Sequence, residues 1–154
     1  MPRAMAAIAV ALVLSSRWVM CADKKPITYQ CVAAGEIGDK AATNAGFHTT
    51  HWSEAHFGFT TYKASTGDAS MVFCDDFDKP EDAKRFLDWK TGKAFKVLSQ
   101  LTKKAADGKP VQYRVELFPE SDRSEVEVMW VVGVTVHWVE ARTLDDALTF
   151  EKLY

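Results

Sequence analysis

The sequence predicts an α+β domain in which an antiparallel sheet of four to six strands carries one long helix and a short C-terminal helix. Two observations lead to this class. Segments in which apolar and polar residues alternate are joined by short polar turns, as in antiparallel sheets. Other segments repeat apolar residues at helical spacing and begin with residues that cap helices. The 154 residues, 47% of them hydrophobic, are enough for one domain with its own core.

The N-terminal half predicts a strand and a hairpin. Residues 27–33 form a short apolar run, and residues 34–45 contain two glycines and an asparagine that indicate a loop. Residues 57–63 are rich in aromatic and β-branched residues, and residues 70–74 form a second apolar run. Because a turn signal at residues 65–68 separates these two runs, we expect them to pair as a hairpin.

The C-terminal half predicts further strands. Residues 111–117 alternate between apolar and polar side chains, as in a strand with one face toward solvent. Residues 126–138 alternate on both sides of a glycine, which predicts a tight hairpin or a bulge. On this pattern Trp130 and Trp138 belong to the core, whereas Glu125 and Glu127 lie on a solvated face.

Two helices are predicted by their starting residues. Asp78 precedes Pro80 and Glu81 in the pattern of an N-cap, a first-turn proline and a capping-box glutamate. Apolar residues then recur at helical spacing as far as Ala105, before a glycine-containing turn. The sequence therefore predicts one long helix across the sheet. Thr143 is the expected cap of the short C-terminal helix.

Residues 1–22 have the pattern of an export signal. Arg3 and the α-amino group supply positive charge, residues 4–14 contain no polar side chain, and small residues precede Ala22. The apolar run is too short to cross a bilayer, which needs about 20 residues. We therefore expect a signal peptide cleaved before or after Ala22, and a secreted or periplasmic protein.

This interpretation leaves a single domain over residues 23–154, with residues 23–54 partly loop. Acylation of Cys21, as in a lipoprotein, is an alternative, although Met20 stands where a small residue is expected. A buried N-terminal helix of a cytosolic protein is another. The formal net charge of -2 predicts no general affinity for nucleic acid or anionic membrane. No membrane span is predicted once the signal is removed.

Cys31 and Cys74 are the cysteines that remain after removal of the signal. An even pair in an exported protein predicts a disulfide, which would stabilise the fold by about 4 kcal/mol through loop closure. Two buried free thiols are the alternative. A catalytic role for Cys74 is disfavoured, because Asp75 and Asp76 follow it directly and would raise the pKa of the thiol.

A metal site is a weaker possibility, built from His48, His51 and His56 with Asp75 and Asp76. Imidazole and carboxylate are normal zinc ligands. However, His48 and His51 would point to opposite faces of a strand, and no His-Glu-x-x-His or paired-cysteine motif is present. Exposed loop histidines are the plainer interpretation.

The sequence favours binding over catalysis. It contains no phosphate loop, dinucleotide fingerprint, Gly-x-Ser-x-Gly elbow or EF-hand loop, and it predicts no cofactor. Trp52 and Trp89 lie outside the clearest apolar stripes and are candidates for contact with a partner. We therefore expect a non-enzymatic exported domain that binds a protein or small ligand, or serves as an accessory part of an envelope or secreted assembly. A small metal-dependent or carboxylate hydrolase and a structural subunit of an oligomer are the alternatives.

Overall fold

A computed structural model describes residues 26–154, so the predicted signal peptide lies outside the described residues. Nearly half of the described chain forms one antiparallel sheet. Its strands are β1 (Tyr29–Gly38), β2 (His56–Ala64), β3 (Ala69–Asp76), β4 (Ala94–Lys104), β5 (Pro110–Pro119), β6 (Val126–Val132) and β7 (Thr135–Ala141). The helices are α1 (Lys40–Asn44), α2 (Pro80–Gly92) and α3 (Leu144–Glu151). The sheet order is β1-β2-β3-β7-β6-β5-β4. An α+β arrangement results, with seven strands where four to six were predicted.

The sheet is covered on both faces. On one face α2 and the segment around α1 bury an aromatic core that includes Phe57, Phe86 and Trp138. On the other face α3 packs Phe150 against Trp130 and the neighbouring valines of the central strands. Helices on both faces explain why β6 is buried from Val126 to Val131, with no solvated side. Among the described residues, no helix is long and apolar enough to cross a membrane.

The predicted long helix is wrong in its second half. Helix α2 ends at Gly92, and the residues up to Lys104 form the edge strand β4. The pairing of β4 with β5 shifts register between Ala94 and Lys96 and again between Val97 and Ser99. Each such bulge inserts an extra residue and interrupts the alternation of a strand. Apolar residues consequently recur about every three to four positions, which imitates a helix.

Two further predictions are also wrong, the loop over residues 34–45 and the helix cap at Asp78. The predicted loop over residues 34–45 contains the end of β1 and all of α1. A glycine at position 35 suits this strand because a Cβ atom there would lie 3.3 Å from the Phe59 ring. Asp78 does not cap α2: the N-cap is Lys79, without a side-chain hydrogen bond, and the Asp78 carboxylate instead lies against His48.

The predicted C-terminal hairpin, the cap of the last helix and the two core tryptophans are confirmed. Strands β6 and β7 form a tight hairpin at Gly133, whose φ of 60° is the positive value that the first position of a type II′ turn requires. Thr143 is the N-cap of α3 and accepts a hydrogen bond from the Asp146 backbone N–H at 3.1 Å. Trp130 and Trp138 are both buried, on opposite faces of the sheet.

Candidate functional site

A groove lies where α1, the C-terminal end of α2, the end of β5 and the start of β6 meet. Its volume is about 470 Å³, within the range of small-ligand sites. The apolar part of its lining is Ala41, Trp89, Leu117 and Pro119. The polar part of its lining is Asp39, Lys90, Lys93, Glu120, Ser121 and Glu127. The groove therefore combines an aromatic wall with charged groups of both signs.

Glu127 is the unusual residue of this groove. Its side chain is only 3% exposed, although it carries a carboxylate. The oxygen Oε1 lies 3.2 Å from the ammonium of Lys90, whereas Oε2 is buried and has no hydrogen-bond partner among the described residues. A buried polar atom without a partner costs about 1–3 kcal/mol, so this oxygen lowers the stability of the fold as it stands.

Glu140 lies beside Glu127. The two residues are direct partners across the antiparallel pair of β6 and β7, so both side chains project to the α2 face. Burial and the nearby Glu127 carboxylate together raise the pKa of Glu140 from 4.5 to about 7, while Lys90 acts in the opposite direction. The Trp138 indole N–H donates to Glu140 Oε1 at 3.2 Å. Carboxyl groups with a displaced pKa, such as Glu140, are concentrated at functional sites.

Trp89 and Lys93 form the outer wall of the groove. The Lys93 ammonium lies 4.4 Å from the centroid of the Trp89 ring, a cation–π contact. Lys93 is exposed and forms no ion pair among the described residues. The inner side of Trp89 packs on Phe47, with ring centroids 5.4 Å apart. The predicted candidate Trp89 thus has one face fixed by the core and one face in the groove.

Sequence reasoning missed Glu127. We assigned it to a solvated face because it alternates with the apolar residues of β6, and that assignment is wrong. The available signal was that Glu127 shares its strand face with Met129 and Val131, both of them apolar. Two apolar neighbours on the supposed wet face indicate a strand buried on both sides, in which a carboxylate needs a specific reason to be present.

Some of the predicted metal ligands gather at a second, shallower depression of about 500 Å³. His51, Asp75 and Asp76 line it together with Trp52 and Cys74. His48 and His56 are not part of its lining. The His48 imidazole is 3.2 Å from Asp78, and the His56 ring stacks on Trp52 with centroids 4.1 Å apart. The fold therefore does not assemble the five predicted residues into one ligand set.

The electrostatics of this depression do not favour catalysis. Within residues 26–154, no group of three or more histidine, cysteine, aspartate or glutamate side chains is arranged to hold a metal ion. Burial, together with the charges of Asp76 and Asp75, raises the pKa of Cys74 to about 11. A thiol in this state is a poor nucleophile at neutral pH, as its acidic neighbours suggested.

The structure does not support the predicted disulfide. Both cysteines are free thiols, with Cys31 exposed. Cys31 pairs with Tyr62 of β2, and Cys74 pairs with Gly58 on the other side of the same strand. Two strand spacings and four residues of rise separate their Cα atoms by roughly 16 Å. A disulfide allows at most about 7 Å, so the intervening strand would have to move.

Comparisons with known proteins assign no function to this chain. No family, curated protein or solved structure matches the chain. The functional argument therefore depends on the chemistry of the groove.

Proposed function

We propose that this chain is a small-ligand-binding domain whose site is the groove between α1, α2 and the β5–β6 edge. One observation carries the proposal: Glu127 lines the groove, and its buried carboxylate has an oxygen without a hydrogen-bond partner among the described residues. If the Glu127 side chain turns this oxygen toward the groove, a ligand that donates a hydrogen bond to it would remove the cost of leaving it unpaired. Together with the export pattern of residues 1–22, this describes an exported binding protein.

The test is a search for ligands by nuclear magnetic resonance, with neutral, cationic and anionic aromatic fragments at millimolar concentration. We expect binding fragments to shift the indole resonance of Trp89 and the amide resonance of Glu127. Ala41→Trp would fill the groove from an exposed helical position and abolish these shifts. Ala105→Trp, at an exposed turn between β4 and β5, is the matched control and should retain them.

Either of two outcomes of the fragment search would contradict the proposal. Fragments that bind only at the depression around His51 and Cys74 would place the site elsewhere. A panel in which no fragment shifts any groove resonance, in a protein that gives a dispersed native spectrum, would remove the function altogether.

A carboxylate hydrolase is the second candidate, and the raised pKa of Glu140 favours it. A carboxyl group that holds its proton near neutral pH is suited to general acid catalysis, beside a second carboxylate. Glu140 does not line the groove, however, so a substrate reaches Glu127 first. Hydrolysis of ester or glycoside substrates that is lost in both Glu127→Gln and Glu140→Gln would establish this function, whereas unchanged rates would assign the activity to a contaminant.

A structural role in an oligomer is the third candidate. The edge strand β4 leaves Phe95, Leu98 and Leu101 exposed, and such edges pair readily with other chains. Light scattering at high protein concentration distinguishes this function: a stable dimer lost in Leu101→Lys supports it, and a strict monomer rejects it.

A further inference from the structure

We propose that the edge strand β4 binds an extended acidic segment of another protein, which joins the sheet as a further strand beside residues 99–103. Three features of β4 lead to this partner: an unpaired outer edge, exposed apolar side chains and lysines without acidic partners. Residues 99–103 do not line the groove, so this proposal stands independently of the proposed small-ligand function.

The outer edge of β4 is open for pairing. Strand β4 is the last strand on its side of the sheet, so a row of its backbone N–H and C=O groups has no partner strand in the part of the chain that the structure describes. Its 11 residues make it the longest strand of the sheet, and nine of them are exposed. Edge strands are usually short or covered, because a long exposed edge pairs with other chains.

The middle of β4 has the regular geometry that a partner strand needs. Two register shifts against β5 precede Ser99, and one follows Lys103. Between these two residues the pairing with β5 is unbroken, residue for residue. The bulges on either side interrupt the ladder and limit the length over which a partner can pair. We therefore place the bound segment against residues 99–103.

The side chains of β4 offer an apolar surface to the bound segment. Four large apolar residues of this strand are between 37% and 56% exposed, namely Phe95, Val97, Leu98 and Leu101. Single exposed apolar residues are normal on a protein surface, whereas several on one strand mark an interaction site. A strand laid along this edge would cover part of this surface while its backbone pairs with β4.

The charges of β4 indicate the chemistry of the partner. The strand contains Lys96, Lys103 and Lys104 and no acidic residue. None of these lysines forms an ion pair with a residue between positions 26 and 154. Acidic side chains on a neighbouring strand would lie opposite or diagonal to the lysine ammonium groups, where opposite charges stabilise strand pairing.

The adjacent strand β5 does not neutralise these lysines. Its one acidic residue, Glu116, lies 2.8 Å from Arg114 of the same strand. Arg114 also bonds Glu151 of α3, so these three side chains together carry one negative charge. Against the three lysines of β4, this charge leaves the edge positive.

The same charges disfavour a second copy of the chain as the partner. Two β4 edges side by side would bring three lysines from each chain together, with no acidic residue from either strand. Like charges on paired strands are destabilising. The opposite edge strand, β1, contains one acidic residue, Glu36, which is 4.0 Å from His56. The lysines of β4 thus oppose basic and neutral edges, and they favour an acidic segment.

Titration of the isotopically labelled protein with a synthetic peptide, followed by nuclear magnetic resonance, tests the proposal. The probe is a decapeptide of alternating valine and threonine in which three threonines are replaced by glutamate. We expect it to shift the backbone amide resonances of residues 99–103. It should bind about tenfold more weakly at about 500 mM salt than at about 50 mM salt, because salt screens exposed charges.

Two control peptides separate the backbone from the charge. A peptide with glutamine in place of each glutamate should bind about tenfold more weakly, since it lacks the ion pairs. The acidic peptide with methyl groups on alternate backbone nitrogens keeps its charge but cannot pair through that edge. We expect this methylated peptide not to bind.

Variants of the protein test the lysines themselves. An exposed ion pair contributes about a twofold change in affinity, so Lys103→Gln should weaken binding of the acidic peptide about twofold. The triple variant K96Q/K103Q/K104Q should weaken it about eightfold and leave binding of the glutamine peptide unchanged. Lys63→Gln, at an exposed position on β2, is the matched control for the single substitution and should bind as the unmodified protein does.

Several results would overturn the proposal. Equal binding of the acidic and methylated peptides would exclude strand pairing, and unchanged affinity in the triple variant would exclude recognition of acidic groups. Amide shifts confined to other strands, or absent with every peptide, would exclude β4 as the surface. Broadening of the β4 resonances with protein concentration alone would assign the edge to a second copy. Phosphatidylserine vesicles that bind through the lysines, when no peptide binds, would assign it to a membrane surface.

Discussion

Replacement of Glu140 by glutamine should stabilise the protein at neutral and alkaline pH. The ordinary pKa of a glutamate is 4.5, and burial beside Glu127 raises it to about 7 in the fold. Below the lower value both states hold the proton. As the pH rises between the two values, the unfolded chain releases its proton first, so stability present at low pH is lost. The complete loss is about 3 kcal/mol, since each pKa unit is worth about 1.4 kcal/mol.

Glu140→Gln removes this loss without changing the size of the side chain, and it retains an acceptor for the Trp138 indole. Urea unfolding at a series of pH values measures the effect. We expect the variant to exceed the unmodified protein by about 3 kcal/mol near pH 8 and by less than about 1 kcal/mol near pH 5. Glu54→Gln, at an exposed position, should change neither value.

Either of two results would refute this reasoning. If the free energies of unfolding of the two proteins run parallel across this pH range, Glu140 has no displaced titration in the fold. If Glu140→Gln destabilises the protein more at about pH 8 than at about pH 5, the ionised carboxylate is favourable and the pair already has sufficient positive charge.

Two further predictions concern a buried aromatic ring and the reactivity of the two cysteines. Phe86→Ala should cost about 3–5 kcal/mol in urea unfolding, because the ring is fully buried among other aromatic rings, whereas Phe95→Ala on the exposed edge should cost less than about 1 kcal/mol. Iodoacetamide at neutral pH should alkylate the exposed Cys31 at least about tenfold faster than Cys74, as followed by mass spectrometry, because the pKa of Cys74 is raised to about 11. Two unreactive cysteines that become reactive after reduction would instead establish the disulfide.

The sequence predicted best where local chemistry decides the structure. The turn at Gly133 needs a positive φ, and Thr143 supplies the hydroxyl that α3 requires, so both elements were correctly placed. It failed at β4, where successive bulges replace the strand alternation with a helical spacing. It failed again at Asp78, because a tertiary contact with His48 competes with capping and prevails.

The candidate site was harder to predict than the fold. Trp89 was recognised as a candidate because it stands beside the apolar stripe of its helix. Glu127 was not recognised, because a single strand cannot show that helices cover both of its faces. Its importance depends on Glu140 and on Lys90, which meet it only through strand pairing and helix packing. The partners of a buried charge come from distant parts of the chain, and local pattern does not contain them.

Strand β7 lies between β3 and β6, although it is the last strand of the chain. The strands on either side of it form two half-sheets, β1–β3 and β4–β6. These half-sheets are joined only when β7 (residues 135–141) pairs with both of them. During synthesis, β3 and β6 each expose an unpaired edge while the ribosome still holds the C-terminal segment. We expect the joining of the two half-sheets to be a late step in folding, because the β3–β7 pairing connects segments that are distant in the sequence.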